Sequence, residues 1–317
     1  MCEVTIVIPN YNGRKYLVPC LEALYGMTAV DMEVVVVDNG SEDQSIEEAE
    51  RLYPQVRYML LDKNYGFCRA VNEGIQASRT EYVLLLNNDT EIKKGFVENL
   101  LRTIKKSPKI FSVESKMIQY GNHSLIDSAG TYYNALGWAF ARGRDSSAGK
   151  YNRRSRTFAA CAGAAIYRKS VFEEIGGFDE NYFAYLEDID MGYRARIYGY
   201  INLYEPKAEV IHVGSAASGS RYNEFKTMYS ARNNIYLIYK NMPWPQILLN
   251  LPVLTAGFLA KAVFFWKKGL GRVYLKSLAD GFVMCQSRDK LAYKKDHLQN
   301  YVQIQKELWV NMIRRFS

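Results

Sequence analysis

Short runs of apolar, largely β-branched residues alternate with helical patterns through the first part of the chain. Each run is continuously apolar, as in strands of a parallel sheet that are buried on both faces. Between the runs, apolar residues recur with the spacing of one helix face. The pattern predicts an α/β fold in which helices cover both faces of a mostly parallel sheet. The runs cover residues 4–8, 33–37, 56–61 and 82–86, and the helical patterns cover 14–25, 43–53 and 67–77.

Each of these four predicted strands ends in a polar segment. In parallel α/β sheets, ligands bind outside the carboxyl ends of the strands. Side chains of these types are able to hydrogen-bond a base, a ribose or a diphosphate, so we predict that this edge of the sheet binds a nucleotide. The segments are Pro9-Asn10-Tyr11-Asn12, Asp38-Asn39-Gly40-Ser41, Asp62-Lys63-Asn64 and Asn87-Asn88-Asp89.

The chain changes character twice after this region. A less regular middle part has strand patterns over 110–117, 157–167 and 208–213 and a helical pattern over 191–198, and long helical patterns follow from about residue 222. We therefore predict one α/β domain over 1–221 and a helical region over 222–317. Within the α/β domain, residues 1–90 form the nucleotide-binding half, and residues 91–221 are left to bind the second substrate.

An uncharged, apolar segment over 242–260 lies in this helical region, where Pro243, Pro245, Pro252 and Lys261 interrupt it. A helix that spans a membrane needs ~20 uninterrupted apolar residues, which this segment lacks. Two interpretations have equal weight. Residues 242–268 form a helix that lies at a membrane surface, or they form a helix that packs on the α/β domain.

Charge and missing motifs narrow the classes of function. The net charge of +8 and the pI of about 9.0 indicate an anionic partner. The chain has no G-x-G-x-x-G after its first strand and no P-loop motif, which argues against a dinucleotide oxidoreductase and a P-loop enzyme. The basic residues lack the motifs of an RNA-binding module, so we expect no nucleic acid partner. Five scattered cysteines and an N-terminus without a signal-peptide pattern fit a reducing, cytoplasmic compartment.

Asp89 is the candidate metal ligand. It follows the fourth strand run, where its carboxylate can face a bound phosphate together with a divalent cation. A single aspartate at a strand end is more often a turn or capping residue, but its position at the predicted nucleotide edge favours a functional role. Asn87 can add an amide oxygen to a metal or contact a ribose.

Glu187 and Asp188 are the candidate general bases. Two adjacent acids before a helix are usually solvated and are favoured by the helix dipole. Here the preceding segment, 183–186, is apolar, so the acids emerge from a buried region, where the pKa of a carboxyl group is raised. His212 ends an apolar run and is a candidate metal ligand or phosphate donor, although a lone histidine is more often structural.

The order of these motifs resembles that of family 2 glycosyltransferases, which have the GT-A fold. The motifs of this chain are most similar to those of the rhamnosyltransferase-type branch, which builds bacterial surface polysaccharides. The resemblance covers roughly residues 3–240. The motifs that carry it are Thr5-Ile6-Val7-Ile8-Pro9-Asn10-Tyr11-Asn12-Gly13, Val34-Val35-Val36-Val37-Asp38-Asn39-Gly40-Ser41, Asn64-Tyr65-Gly66-Phe67, Leu84-Leu85-Leu86-Asn87-Asn88-Asp89, Gly176-Gly177-Phe178-Asp179, Leu186-Glu187-Asp188-Ile189-Asp190 and His212 with its Gly/Ser-rich tail.

The resemblance implies roles for the polar residues at the strand ends. Pro9, Tyr11 and Asp38 would hold the nucleobase and the ribose, with Asn64 and Phe67 nearby. Together with the polar strand ends, the predicted nucleotide site comprises Pro9, Tyr11, Asn12, Asp38, Asn64, Phe67, Asn87 and Asn88.

The resemblance also implies how the reaction would proceed. Asp89 would match the last acid of the family's D-x-D motif and bind Mg²⁺ or Mn²⁺, with His212 near the metal or the diphosphate. Asn87 stands where the family has the first acid, which puts the strength of metal binding in question. Asp188 would be the catalytic base, Glu187 would help to position the acceptor, and a single displacement would invert the anomeric configuration.

The leading hypothesis is an inverting glycosyltransferase of surface polysaccharide biosynthesis. It would move a sugar, such as L-rhamnose from dTDP-rhamnose, to a glycan or to a lipid-linked saccharide bound by the half over 91–221. A UDP-hexose donor is the alternative within the family, and a sugar-1-phosphate nucleotidyltransferase is less favoured because residues 10–14 make a poor triphosphate loop. We expect a cytoplasmic protein on the inner face of the cell membrane, and the sequence leaves open whether it is a homodimer.

Overall fold

The computed structural model describes residues 2–214, 222–288 and 290–316. Within them, strands and helices alternate up to β4 and helices predominate after β12. The strands are β1 (Val4–Asn10), β2 (Met32–Asp38), β3 (Arg57–Leu60), β4 (Tyr82–Leu86), β5 (Thr90–Ile92), β6 (Ile110–Gln119), β7 (Ile126–Ser128), β8 (Thr131–Tyr133), β9 (Ala139–Ala141), β10 (Ser155–Thr157), β11 (Ala164–Arg168) and β12 (Ile201–His212). The helices are α1 (Leu17–Met27), α2 (Ser45–Leu52), α3 (Phe67–Ala77), α4 (Phe96–Ile104), α5 (Lys169–Ile175), α6 (Glu187–Ile197), α7 (Glu224–Asn241), α8 (Trp244–Lys267), α9 (Gly271–Gln286) and α10 (Leu298–Arg314).

The central sheet follows the order β10-β12-β6-β11-β4-β1-β2-β3, with β5 paired to β12 and β7 to β6. The half made of β4, β1, β2 and β3 is parallel throughout. In the other half, β11 runs antiparallel between β4 and β6, and β12 runs parallel to β6. The predicted α/β class is confirmed, and the parallel half is the one that the apolar runs predicted.

The central strands are apolar on both faces because a hydrophobic core lies on each side of the sheet. Val7 and Val35 contribute to one core, and Ile6 and Val34 contribute to the other. Helix α3 approaches β1 closely because Gly74 has no side chain: a Cβ at that position would lie 2.2 Å from a methyl carbon of Val7. The continuous apolar runs are therefore the consequence of two-sided burial.

Two predicted elements of the middle region differ from the structure. The predicted strand over 157–167 is wrong as a single element, because β10 ends at Thr157 and β11 begins at Ala164. Between them the backbone amides of Phe158 and Ala159 donate to Thr131 O, outside the main ladder. This connection is buried and rich in small apolar residues, so its composition resembles that of a buried strand. The helix predicted over 191–198 begins earlier, at Glu187.

The C-terminal helices share a core with the sheet. Leu237 from α7, Leu254 from α8 and Leu308 from α10 are buried in the same hydrophobic cluster as Val7. Helix α8 approaches residue 136 closely, since a Cβ on Gly257 would lie 2.1 Å from Leu136 O. The division into domains at 221 and 222 stays a prediction, and residues 215–221 lie outside the described residues.

Candidate active site

Asn10 and Asp38 end β1 and β2 side by side and form a buried polar cluster. Asn10 Nδ2 donates to Asp38 Oδ1 at 2.8 Å and to Ser45 Oγ at 2.9 Å. Ser41 donates to the same carboxylate through its backbone N–H and its hydroxyl. An ionised carboxylate has about four acceptor positions, and these three donors leave one. Asp38 is thus oriented by the fold and keeps capacity for a ligand N–H or O–H group.

Pro9, Tyr11 and Asn12 surround this cluster. Pro9 lies within β1 and is partly buried, whereas the Tyr11 side chain is 44% exposed. Asn12 has a left-handed backbone with φ of 49°. Its N–H donates to Ser41 Oγ at 2.8 Å, and its Oδ1 accepts from the backbone of Glu42 at 3.0 Å. Asn12 therefore fastens the loop after β1 to the turn after β2 and leaves the Tyr11 ring as an open surface beside Asp38.

Asn64 and Phe67 lie at the start of α3. Asn64 Oδ1 accepts from Asn39 Nδ2 at 3.0 Å and from the backbone N–H of Gly66 at 2.9 Å. The backbone N–H of Phe67 donates to Phe183 O at 2.7 Å. Their described contacts are with protein groups, and contact with a nucleotide stays a prediction. What the structure adds is that Phe67 joins the nucleotide edge to the segment before the two acids.

Asn87, Asn88 and Asp89 follow β4 at the same edge of the sheet. Asn88 Nδ2 donates to Asn10 Oδ1 at 2.7 Å, so the loop after β4 is tied to the Asp38 cluster. Asn87 is partly buried, and its backbone N–H donates to Gly163 O at 2.8 Å. Asp89 is 9% exposed. These contacts place the candidate metal ligand next to the polar cluster that the sequence predicted for the nucleotide.

Asp89 and His212 face each other from the ends of β4 and β12. Asp89 Oδ1 is buried and has no hydrogen-bond partner among the described residues. His212 Nε2 lies 3.6 Å from it, which is too long for a hydrogen bond. An unsatisfied buried carboxylate oxygen costs free energy, and a cation between the two atoms would satisfy it at metal–ligand distances of about 2.1 Å.

Asp127, in β7, orients the ring of His212 and was missed from the sequence. His212 Nδ1 lies 2.8 Å from Asp127 Oδ2, and Arg144 Nη2 lies 3.0 Å from the other oxygen, Oδ1. With Nδ1 donating its proton to Asp127, Nε2 is left with its lone pair towards Asp89, as in carboxylate–histidine–metal arrangements. Burial lowers the pKa of His212, but the Asp127 hydrogen bond and the charge of Asp89 outweigh it, and the pKa is raised.

The metal-binding capacity of this pair is modest. Among the described residues, no group of three or more histidine, cysteine, aspartate or glutamate side chains is arranged to hold a metal ion. Mg²⁺ is usually bound by one or two carboxylates together with substrate phosphates and water. Asp89 and His212 therefore fit a cation that binds together with a diphosphate, and Asn87, in place of an acid, keeps the protein's own charge at this site low.

Glu187 and Asp188 occupy the first turn of α6 and are partly buried. Burial raises the pKa of both carboxyl groups, and the charge of Asp188 raises the pKa of Glu187 further. Asp188 Oδ1 accepts from the backbone N–H of Ile189 at 2.7 Å, whereas Glu187 Oε2 is buried without a partner among the described residues. A carboxylate with a raised pKa and no ion pair is chemically suited to accept a proton.

Asp190, the third acid of the same turn, has the opposite environment. Its side chain is fully buried and forms ion pairs with Arg194 at 2.9 Å and Lys240 at 3.0 Å, while Asn241 Nδ2 donates to it at 2.8 Å. Burial alone would raise the pKa of Asp190, but the two cations lower it to about 2. Asp190 is thus a structural anion beside two acids that have no counter-charge among the described residues.

Glu114 is a further buried acid that the sequence did not reveal, because it lies inside the apolar pattern of β6. Its two oxygens accept from the backbone N–H and the hydroxyl of Thr131 at 2.7 and 2.8 Å, and from the backbone N–H of Cys161 at 3.3 Å. Burial raises the pKa of Glu114 to about 7. It fastens the connections before β8 and β11 to the middle of the sheet.

The comparisons with known proteins concern the family and the fold of the chain. The family model described as Glycosyl transferase family 2 matches residues 5–176. Over 262 residues the chain is 26% identical to an N-acetylglucosaminyl-diphospho-decaprenol L-rhamnosyltransferase of Mycobacterium tuberculosis, covering 75% of this chain and 85% of that protein. It is also 26% identical over 280 residues to a low-salt glycan biosynthesis hexosyltransferase of Haloferax volcanii, covering 84% of this chain and 86% of that protein.

Among solved structures, a mannosyltransferase from Pyrobaculum calidifontis in complex with GDP-Man and Mn²⁺ superposes with a TM-score of 0.56. The match covers 96% of this chain and 84% of that chain at 16% sequence identity. At that identity the likeness concerns the fold alone. The two sequence relatives and the family model bear out the resemblance that the ordered motifs indicated.

Proposed function

Because the chain belongs to glycosyl transferase family 2, we propose that it transfers a sugar from a nucleoside diphosphate sugar to a lipid-linked saccharide during synthesis of a cell-surface glycan. The observation that carries this proposal is the buried Asp89 Oδ1, which has no partner among the residues that the structure describes and lies 3.6 Å from His212 Nε2. The pair lies at the same sheet edge as the Asp38 cluster. The donor that we favour is dTDP-L-rhamnose, since a relative over most of the chain is named a rhamnosyltransferase. A UDP-hexose is the alternative.

In the proposed reaction, the acceptor hydroxyl oxygen forms a bond to C1 of the donor sugar as the bond from C1 to the diphosphate breaks. Attack from the opposite side inverts the anomeric configuration. The hydroxyl proton passes to the carboxylate of Asp188, whose raised pKa makes it a stronger base. The adjacent Glu187, whose Oε2 has no hydrogen-bond partner in the part of the chain that the structure describes, would hold the acceptor hydroxyl. The nucleoside diphosphate leaves with the electron pair of the broken bond.

Asp89 and His212 would hold the divalent cation, with the amide oxygen of Asn87 as a weaker neighbour. Bound Mg²⁺ or Mn²⁺ would neutralise the charge that develops on the leaving diphosphate. Asp38 would accept a hydrogen bond from the ribose or the base, and the exposed ring of Tyr11 would stack on the base. Hydrogen bonds within the protein already orient Asp38 and His212 for these roles.

A binding experiment tests the donor site. We expect dTDP-rhamnose or a UDP-hexose to raise the melting temperature in the presence of Mn²⁺, because a ligand that binds only the folded state stabilises it. Asp89→Ala is expected to lose the Mn²⁺-dependent part of the calorimetric affinity for the nucleotide, whereas Glu50→Ala, an exposed acid on α2, is expected to keep it. Equal affinity of wild type and Asp89→Ala, with and without Mn²⁺, would remove Asp89 from the site.

The outer side of α8 supports contact with a membrane surface. Among the described residues, α8 is the one helix long and apolar enough to cross a membrane. One side of α8, however, packs against the rest of the protein through Leu254 and Gly257. Apolar residues are exposed on its other side. Lys267 and Lys268 end the helix beside this face. The exposed apolar side chains of α8 are Trp244, Leu248, Leu249, Leu251, Leu259, Val263, Phe264 and Trp266.

We therefore propose that α8 lies in the plane of an anionic membrane, where a lipid-linked acceptor would be found. The double variant Leu248→Ser/Leu259→Ser changes two side chains that are 65% and 63% exposed, so it should not disturb the core. We expect it to co-sediment less with phosphatidylglycerol-containing vesicles than wild type. The matched control Leu52→Ser/Leu60→Ser changes two exposed leucines at the other end of the sheet and should bind as wild type does. If Leu248→Ser/Leu259→Ser binds the vesicles as well as the control variant does, a helix packed on the protein without membrane contact is favoured.

A further inference from the structure

The backbone directly before Glu187 and Asp188 is strained. Phe183, Tyr185 and Leu186 have φ of 63°, 69° and 69°, in the left-handed region that non-glycine residues rarely adopt. Phe183, with ψ of −61°, is the centre of a γ-turn that Ala184 N–H closes by donating to Tyr182 O at 2.7 Å. Such conformations persist only where the surrounding structure holds them. We call residues 183–186 the acid loop.

One side chain of α7 holds most of the acid loop. Asn233 is fully buried, and its Nδ2 donates to the carbonyl oxygens of Tyr182, Ala184 and Tyr185 at 3.0, 2.8 and 2.8 Å. Two N–H bonds thus serve three carbonyl groups. These carbonyls belong to a backbone with positive φ at Phe183 and Tyr185, so the left-handed turns bring all three to a single amide.

Arg232 completes the contact from α7. Its Nε donates to Asn233 Oδ1 at 3.0 Å, which fixes the amide with its N–H groups towards the acid loop. Its Nη2 donates to the carbonyl oxygens of Asn181 and Tyr182 at 3.0 and 3.1 Å. The guanidinium also lies 4.7 Å from the centre of the Tyr229 ring. The two adjacent residues therefore act as one clamp on residues 181–185.

Residues at the start of α3, next to the predicted nucleotide site, also contact the acid loop. Phe67 N–H donates to Phe183 O at 2.7 Å. Gly66 leaves space for the γ-turn, since a Cβ there would lie 2.6 Å from a ring carbon of Phe183 and 2.7 Å from its carbonyl oxygen. The acid loop is thus enclosed between the start of α3 and α7, and its geometry determines where α6 begins.

We propose that Asn233 is a positioning residue, which holds the acid loop so that the carboxylate of Asp188 meets the acceptor hydroxyl. This inference rests on the proposed function, in which Asp188 is the base. Asn233 is fully buried and acts on the backbone of the acid loop, so its loss should affect turnover more than donor binding. The loop is expected to relax towards ordinary φ values when the three carbonyls lose their donor.

Two measurements on Asn233→Ala test the proposal. Hydrogen–deuterium exchange of the amides over 183–190 is expected to become faster, a readout that needs no substrate. With the nucleotide sugar that best stabilises the protein and a short-chain prenyl-diphosphate N-acetylglucosamine acceptor, kcat is expected to fall about 100-fold, since small displacements of a reacting group have effects of that order. Donor KM should change little. The acid limb of the kcat profile should move to lower pH, because a displaced Asp188 is better solvated.

Asn234→Ala is the matched control. Asn234 is the next residue of α7, is also buried, and holds a different segment: its Nδ2 donates to Gly137 O at 2.7 Å, and its Oδ1 accepts from Tyr133 at 2.8 Å. It should lower the melting temperature without changing exchange over 183–190 or the acid limb. If Asn233→Ala does not fold, Arg232→Met, which removes the second half of the clamp at a partly exposed position, is expected to give the same changes to a smaller degree.

A second variant separates positioning from general loss of stability. Leu186→Gly makes the left-handed conformation accessible without strain, so Asn233→Ala/Leu186→Gly is expected to recover part of the kcat lost in Asn233→Ala. Normal turnover of Asn233→Ala, or an equal loss in Asn234→Ala, would overturn the positioning role and leave the proposed function standing. Wild-type turnover of Asp188→Asn would instead show that the proposed base is wrong.

Discussion

Asp190→Asn is expected to destabilise the protein strongly. The corresponding replacement of Asp188, two residues away, is not expected to do so. The fully buried carboxylate of Asp190 neutralises Arg194, which is itself 3% exposed, and shares Lys240 with Asp179. An amide of the same shape keeps a hydrogen bond but leaves the Arg194 guanidinium without a counter-charge. A buried ion pair that loses one partner costs more than the pair contributes, because the remaining charge stays desolvated.

The loss of unfolding free energy can be worked out from the pKa of Asp190 and from the general cost of breaking a buried ion pair. The pKa of Asp190 falls from the ordinary 3.8 to about 2, and at 1.36 kcal/mol per unit the charged form contributes about 2–3 kcal/mol at neutral pH. Breaking a buried pair from one side costs about 3–5 kcal/mol. We therefore expect a loss of about 3–4 kcal/mol, which corresponds to a fall in Tm of roughly 5 °C for a chain of this size.

Thermal unfolding followed by circular dichroism between pH 7 and pH 2.5 checks both the size and the sign. Because the folded-state pKa is lowered, the contribution is present above the unfolded pKa of 3.8 and is lost as pH falls through about 2. The difference in Tm between wild type and Asp190→Asn should thus be constant from pH 7 to about 5 and shrink below pH 4. A difference under about 2 °C at pH 7, or one that does not shrink in acid, would refute the reasoning.

Asp188→Asn is expected to reduce transfer about 10²–10⁴-fold and to raise Tm at pH 8, because burial disfavours the carboxylate that it removes. Calorimetry of donor binding should show unchanged affinity, and a lower Tm would contradict the pKa direction. The wild-type kcat is expected to fall as pH drops through the raised pKa of Asp188, and a flat rate profile from pH 8 to 5 would exclude it as the base. Gly66→Ala is expected to lower both Tm and kcat, since its Cβ would displace Phe183; Gly26→Ala, where no atom lies within 4 Å, is the control.

The parallel half of the fold could be predicted because its signal is local. Residues 67–77 and 82–86 form the helix and the strand that the apolar spacing indicated. The same reasoning failed over 157–167, where small apolar residues form a buried turn rather than a strand. Hydrophobic patterning records that a segment is buried, and it does not distinguish a strand from a connection that the core encloses.

The candidate site could be predicted only where a functional residue has a recognisable local sequence pattern. Asp89, Asp188 and His212 stand out as polar residues at the ends of apolar runs. Asp127 and Asn233 do not, because their roles depend on contacts with residues 85 and about 50 positions away. Arg232 and Asn233 donate to backbone carbonyls, which carry no signature in the side-chain sequence.

The acid loop ties the candidate base to the C-terminal helices. Three left-handed residues cost about 1–3 kcal/mol each, and the described hydrogen bonds from Arg232, Asn233 and Phe67 contribute about 1 kcal/mol each. Asn233 Nδ2 and Arg232 Nη2 supply two N–H groups each and Phe67 supplies one, so five donors offset a strain of this size, and four of them come from α7. The family match ends at residue 176, before both the acids and α7. It follows that the predicted nucleotide edge and the candidate base reach their geometry by different means. The first is determined within the parallel sheet, whereas the second depends on a helix that also shares a core with α8.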